Sequence, residues 1–251
     1  GDESEVVITY DEIFTPTAYH KDLGESEIAY IKIDRFSGYV EDVTVGTSKV
    51  FSDVLLALEQ TVLRGEQKTL ILDLRDNPGG ALTSLSNRGV SGQIPGIVQQ
   101  LLPRSNTAAF SLIDRFNQTQ LYYGGLDQKK PYAIKVLVNE NSASAAEVLA
   151  ATLYEVGGYE LFGQPTFGKG VYQNTRFLQT INDVNYSLTY TEGKWLYGDQ
   201  KNVSEDPLIV TLIPQKGIRA IILPVYHGEI QSDEVSTSLS SYQAFLNVYF
   251  E

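Results

Sequence analysis

The chain contains no cysteine, no methionine and two histidines in 251 residues. Without cysteine there are no disulfides and no thiolate chemistry. That suits an exported protein whose fold does not rely on disulfides, though cytosolic proteins can also lack Cys. Two scattered histidines, His20 and His227, leave no motif for a zinc site or a Ser-His-Asp triad. Basic charge is also scarce, and the formal net charge is −12. This argues against nucleic acid or an anionic membrane surface as partner. No apolar run is long enough to span a bilayer, and no signal peptide is read. The Gly1 start and the lack of Met lead us to expect that the native start is not represented. Neither GxGxxG nor GxxxxGK[ST] occurs, so no nucleotide site is indicated and no cofactor is expected.

What is present is an apolar share of 42%, ample for a core in one large or two small domains. The most informative stretch is Asn139–Gln173, NENSASAAEVLAATLYEVGGYELFGQPTFGKGVYQ. A strand (Ala133–Asn139) is expected to deliver a small-residue turn. A helix should start at Ser144 or Ala145 and stop at Gly157-Gly158, before a strand at Glu160–Gly163. Ser144 then stands at a helix N-terminus, where exposed N–H groups favour developing negative charge. Ser144-Ala-Ala-Glu147 also reads as a capping box, so an N-cap role stays open beside a nucleophilic one. Lys169 lies between two glycines. It is either a solvated loop lysine or an amine closely wrapped by backbone, which loses its proton more easily and can serve a serine as general base.

Upstream, Ile28–Asp34 alternates apolar and polar residues and predicts a strand. Ser48–Arg64 predicts an amphipathic helix, with Val50, Phe51, Val54, Leu55, Leu58 and Val62 on one stripe, Ser48 as cap and Gly65 as stop. Thr69–Leu74 predicts a strand covered on both faces. Arg75-Asp76-Asn77-Pro78-Gly79-Gly80 then makes a tight turn at that strand's C-terminal end, where sites in open α/β sheets collect. Asp73, Arg75 and Asp76 are expected to brace this loop. Val90–Leu102 predicts a second helix, and Ala108–Phe116 with Thr119–Tyr123 a hairpin. Beyond Gln173 the pattern is all-β, with strands at Asn174–Thr180, Val184–Thr191, Lys194–Tyr197, Ile209–Ile213 and Ala220–Val225. Val6–Tyr10 is a further strand candidate, Asp11–Glu27 and Gly38–Gly46 read as irregular, and Ser236–Tyr249 predicts a terminal helix.

DLRDNPGG, SASAAE and TFGKGVYQ, in that order, resemble the carboxyl-terminal processing protease family of serine peptidases. The resemblance covers about Glu27 to Gly217. It implies a Ser/Lys dyad of Ser144 and Lys169 supported by Gln173. It also implies an oxyanion hole from the N–H of Gly79 or Gly80 together with that of Ala145. The implied fold is α/β, a crotonase-like ββα spiral core with an additional C-terminal antiparallel β ribbon that holds substrate as an added strand. The expected organisation is an N-terminal segment 1–27, a catalytic core 28–230 and a helical tail 231–251. The PDZ domain that relatives often carry before the core is expected to be absent or cut away. Two features depart from the family: Ala81–Gly92 is rich in Ser, Asn and Gly, and Gly217-Ile218-Arg219-Ala220 replaces a G-I-x-P-D signature. The implied activity is endopeptidase cleavage near apolar C-terminal tails, in an extracytoplasmic setting. Expected partners are protein or peptide substrates, and a homo-oligomer is compatible with the chain. The alternative is a non-catalytic crotonase-like module that binds a ligand or serves as scaffold.

Overall fold

The computed structural model describes residues 16–40, 44–65, 67–84 and 92–212. The readings at Val6–Tyr10, Ala220–Val225, Ser236–Tyr249 and His227 lie outside the described residues.

A six-stranded sheet carries the fold. Its strands are β1 (Ala18–Lys21), β2 (Ile28–Ile33), β5 (Thr69–Asp73), β8 (Ala133–Val138), β9 (Glu160–Gly163) and β12 (Thr211–Leu212), side by side in that order. β1 is antiparallel to β2, and the remaining pairs are parallel. A small hairpin, β3 (Tyr39–Val40) and β4 (Thr44–Val45), stands apart. The central strands β5 and β8 read as continuous apolar runs because both of their faces are covered. Leu70, Leu72, Val136 and Val138 face the main core, while Ile71 and Leu137 join Tyr30 and Phe162 on the other side.

Three helices close the main core: α1 (Thr47–Gln60), α2 (Gln93–Leu101) and α3 (Ala145–Glu155). Phe51, Leu55 and Leu58 of α1 are buried, each worth about 1.5–3 kcal/mol in water-excluded apolar surface. Ile94, Ile97, Val98 and Leu101 do the same for α2. A second, four-stranded antiparallel sheet runs in the order β10 (Val171–Ile181), β11 (Val184–Tyr197), β6 (Phe110–Asp114), β7 (Thr119–Tyr122). β10 and β7 are its edge strands.

Several expectations are corrected. The stretch read as irregular before Glu27 contains β1, and the one read as a loop over Gly38–Gly46 contains β3 and β4. Only Ala18 of β1 is buried, so no alternation marks that strand. Helix α1 begins at Thr47 behind Gly46, not at a Ser48 cap. Ser48 lies in the first turn, where its N–H donates to Gln93 Oε1 at 2.8 Å. The capping group thus comes from α2, across 45 residues. The helix stops at Gln60, four residues early, because the Leu58 carbonyl accepts from both Thr61 and Leu63 N–H. The strand expected at Lys194–Tyr197 is the end of β11, and β12 begins at Thr211, two residues after its predicted start.

Candidate active site

Two turns meet at the C-terminal ends of β5 and β8. Asn77 is the joint between them and is fully buried. Its Nδ2 donates to Ile33 O at 2.9 Å, its Oδ1 accepts the Gly79 N–H at 2.8 Å, and its backbone O accepts the Ala143 N–H at 2.9 Å. Ser142, also fully buried, donates from Oγ to Leu74 O at 2.8 Å and accepts from Asn139 N at 2.9 Å. The first serine of SAS is therefore a clamp between the strand ends. Glycine is required opposite it. At Gly79, where φ is +98°, a Cβ would lie 2.7 Å from Ala143 O and 2.8 Å from Ser144 Cβ.

Asp73 and Arg75 brace the same loop from below. Asp73 is 1% exposed and accepts from Tyr30 Oη at 2.6 Å and from Arg75 Nη2 at 2.6 Å, with Lys32 Nζ 3.5 Å away. Burial pushes its carboxyl up, but the hydrogen bonds from Arg75 and the charges of Lys32 and Arg75 outweigh that and hold it below its ordinary value. Asp76 accepts from Asn141 and Asn139 amides at 2.8 and 2.9 Å, which hold its carboxyl low as well.

Ser144 stands immediately before α3 with φ 56° and ψ −117°, a conformation that side chains disfavour. Sharp strand-to-helix turns of this kind push a nucleophile forward into a cleft. Glu147, fully buried in the first turn of α3, holds the turn: its Oε2 accepts the Ser144 N–H at 2.8 Å. The same carboxylate accepts Gly168 N–H at 2.6 Å and Lys169 N–H at 2.9 Å. Further along the lysine loop, Trp195 Nε1 donates to Lys169 O at 2.9 Å, and Asn202 Nδ2 to Gly170 O at 2.8 Å. Lys169 is thereby fixed on both sides of its Cα, and its half-buried side chain points where the loop aims it. Its Nζ donates to Gln173 Oε1 at 3.2 Å.

A cavity of about 480 Å³ gathers Ser144, Lys169, Gln173 and Gly80, with Leu82, Val148, Tyr172 and Trp195 as apolar or aromatic walls and Asn174 and Glu192 at one end. The structure thus brings together five of the six residues singled out in the sequence at or beside this cavity, Ala145 following Ser144 directly. Gly79 lies behind them, buried, with its N–H taken by Asn77. Gly80 is exposed, and its bridge to Phe36 uses the flanking Gly79 O and Ala81 N–H rather than its own N–H. The Ala145 N–H is the first of α3 and has no partner within the helix. His20 sits on β1, away from this cavity. Asn77 and the second role of Glu147 were not recognised in the sequence. Both stand inside the quoted motifs, but their partners come from other segments.

The profile of peptidase family S41 matches residues 27–210. The carboxy-terminal processing protease CtpB of Bacillus subtilis is 27% identical over 186 residues, covering 73% of this chain and 34% of that protein. A probable CtpA-like serine protease of Staphylococcus aureus is 31% identical over 200 residues, covering 79% of this chain and 35% of its own length. The chain thus spans about a third of the curated relatives it matches. Among solved structures, the photosystem II D1 C-terminal processing protease superposes with a TM-score of 0.52 at 20% identity, over 74% of this chain and 42% of that one. That likeness concerns the fold. With the family profile covering most of the chain and a mixed α/β architecture like that of the solved neighbour, the chain belongs to peptidase family S41.

Proposed function

We propose that the chain is the catalytic core of a serine endopeptidase that cleaves proteins near apolar C-terminal tails through a Ser144/Lys169 dyad. One observation carries the reading: Ser144, on a strained turn, and Lys169, paired with Gln173, line one cavity. Neutral Lys169 takes the Ser144 hydroxyl proton as Oγ attacks the peptide carbonyl. The Gly80 and Ala145 N–H groups receive the oxyanion, a contribution of about 3–4 kcal/mol per donor in comparable sites. The intermediate collapses to an acyl-enzyme as Lys169 returns the proton to the leaving amine. Lys169 then activates water for deacylation. Gln173 orients the lysine, and the open edge of β10 offers backbone groups to an extended substrate.

The finer architecture we assign is the crotonase-like ββα spiral, with the core at 28–230 between the segment 1–27 and the tail 231–251. We assign an extracytoplasmic setting on the strength of the resemblance. No helix among the described residues is long and apolar enough to cross a membrane.

The test is hydrolysis of an unstructured protein with an apolar C-terminus by the parent, Ser144→Ala and Lys169→Ala. Both variants should lose roughly 10³-fold or more in rate. Variants that retain the parent rate would remove the dyad from the mechanism.

A further inference from the structure

We infer that the β10–β11 ribbon carries an anion subsite for a substrate carboxylate, formed by Arg115 and Arg176 beside the Ser144 cavity. The inference rests on the peptidase reading and adds to it a specific chemical group of the substrate.

A second cavity, again about 480 Å³, is lined by Arg115, Arg176, Phe177, Leu188 and Tyr190. Its relation to the first follows from strand register. Asn174 lies opposite Tyr190, and Arg176 lies opposite Leu188. Residues two apart on a strand share a face, so Asn174, Arg176, Leu188 and Tyr190 all present to one side. Asn174 also borders the Ser144 cavity, where its Nδ2 donates to Glu192 Oε2 at 3.3 Å. The two cavities are therefore neighbours along the ribbon, with Asn174 of one and Arg176 of the other about 7 Å apart along the strand.

Arg115 reaches this face from the end of β6. Its backbone N–H donates to Glu192 O at 3.0 Å, and its guanidinium carbon lies 4.9 Å from the Phe116 ring centroid and 6.0 Å from that of Tyr190. Stacking of this kind holds the guanidinium plane while leaving its edge donors for a ligand. Among the described residues neither Arg115 nor Arg176 forms an ion pair, whereas Arg75 and Arg104 do. Two uncommitted guanidinium groups in one cavity stand out in a chain of net charge −12. The nearest acids along the ribbon are Glu192, hydrogen-bonded to Asn174, and Asp114, whose Oδ1 is occupied by the Phe116 and Gln118 amides. Guanidinium forks bind carboxylates with good geometry, and Phe177 and Leu188 offer apolar surface to the side chain beside that carboxylate. In the proposed pose a substrate lies along β10 with its scissile bond at Ser144 and its C-terminal side toward Arg176, which brings a carboxylate a few residues downstream onto this pair. The carboxylate is either the substrate's own C-terminus or an acidic side chain.

The experiment uses the full chain and three peptides of one apolar sequence: a free C-terminal acid, the same peptide as an amide, and the amide with an Asp near its end. kcat/KM is measured for the parent, Arg176→Gln and the Arg115→Gln/Arg176→Gln double variant. Binding of the same peptides to Ser144→Ala is followed by fluorescence anisotropy, with and without the arginine changes. The parent should prefer the acid over the amide by about 3- to 10-fold, the preference should shrink with added salt, and the ratio should fall to one in the double variant. An Asp-bearing amide that matches the acid identifies any carboxylate as the ligand; one that behaves as the plain amide identifies the terminus. Equal cleavage of acid and amide by the parent, or a preference that survives both arginine changes, overturns the subsite while the peptidase stands. Absence of cleavage with an arginine-dependent binding preference leaves the subsite and removes the peptidase reading. Absence of both removes both. Arg176 is exposed, so its single variant keeps the test sound if the double one misfolds.

Discussion

Ser144 and Lys169 are joined through their backbones: both amides donate to Oε2 of Glu147, at 2.8 and 2.9 Å. The helix that presents the serine and the loop that presents the lysine thus share one buried oxygen. Replacing Glu147 by Ala strands buried donors at about 1–3 kcal/mol each. We expect a clear drop in unfolding midpoint and a fall in kcat larger than any change in KM. Thermal unfolding with steady-state kinetics checks it. A Glu147→Ala variant that keeps the parent's kcat would show that the tie does not set the dyad.

Trp195→Phe removes the indole donor to Lys169 O and leaves a small void. The expected cost is about 1–3 kcal/mol, with kcat reduced because the lysine loop loses its restraint. Denaturant titration and kinetics measure the two effects. An unchanged kcat would argue that Glu147 and Asn202 suffice to hold the loop.

Gly79→Ala places a methyl against Ala143 O and Ser144 Cβ at a φ of +98°. Gly80→Ala drives one into the Phe36 carbonyl at a φ of +124°. Each should cost on the order of 1–3 kcal/mol from backbone strain alone, and both should suppress hydrolysis, Gly80→Ala by misdirecting its own N–H. A folded, fully active Gly80→Ala enzyme would exclude that amide from the oxyanion hole.

Asp73 makes stability depend on acid. Its folded carboxyl titrates below its unfolded value, so its contribution is complete above the unfolded pKa near about 4. That contribution fades as pH falls through the lower folded value. Asp73→Asn also removes the buried carboxylate that faces half-buried Lys32 and Arg75, at up to about 3–5 kcal/mol near neutrality. Melting curves from neutral to acidic pH should show the gap between parent and variant closing below about pH 4. A gap constant across that range would contradict the assignment.

Much of this was legible in local pattern. The buried run Thr69–Asp73, the stripe Phe51–Leu55–Leu58 and the turn chemistry of NPGG each follow from side-chain periodicity or backbone preference. Ser144, Lys169 and Gln173 stood out through motif resemblance, and the fold places all three on one cavity. The remainder depends on contacts between distant segments. Gln93 capping α1, Asn77 bonding Ile33 and Ala143, and Glu147 reaching Gly168 and Lys169 each join residues 21 or more apart. β1 left no trace because three of its four side chains face water. That Asn77 occupies the Gly79 amide and leaves that of Gly80 for the proposed oxyanion role was equally hidden.

The turn at Ser144 has one more consequence. With φ at 56° and ψ at −117°, any residue bearing a Cβ sits there at on the order of 1–3 kcal/mol, and glycine would relieve most of it. A Ser144→Gly chain should therefore outlast the parent on heating while hydrolysing nothing. On the proposed mechanism, durability and chemistry pull this one position in opposite directions.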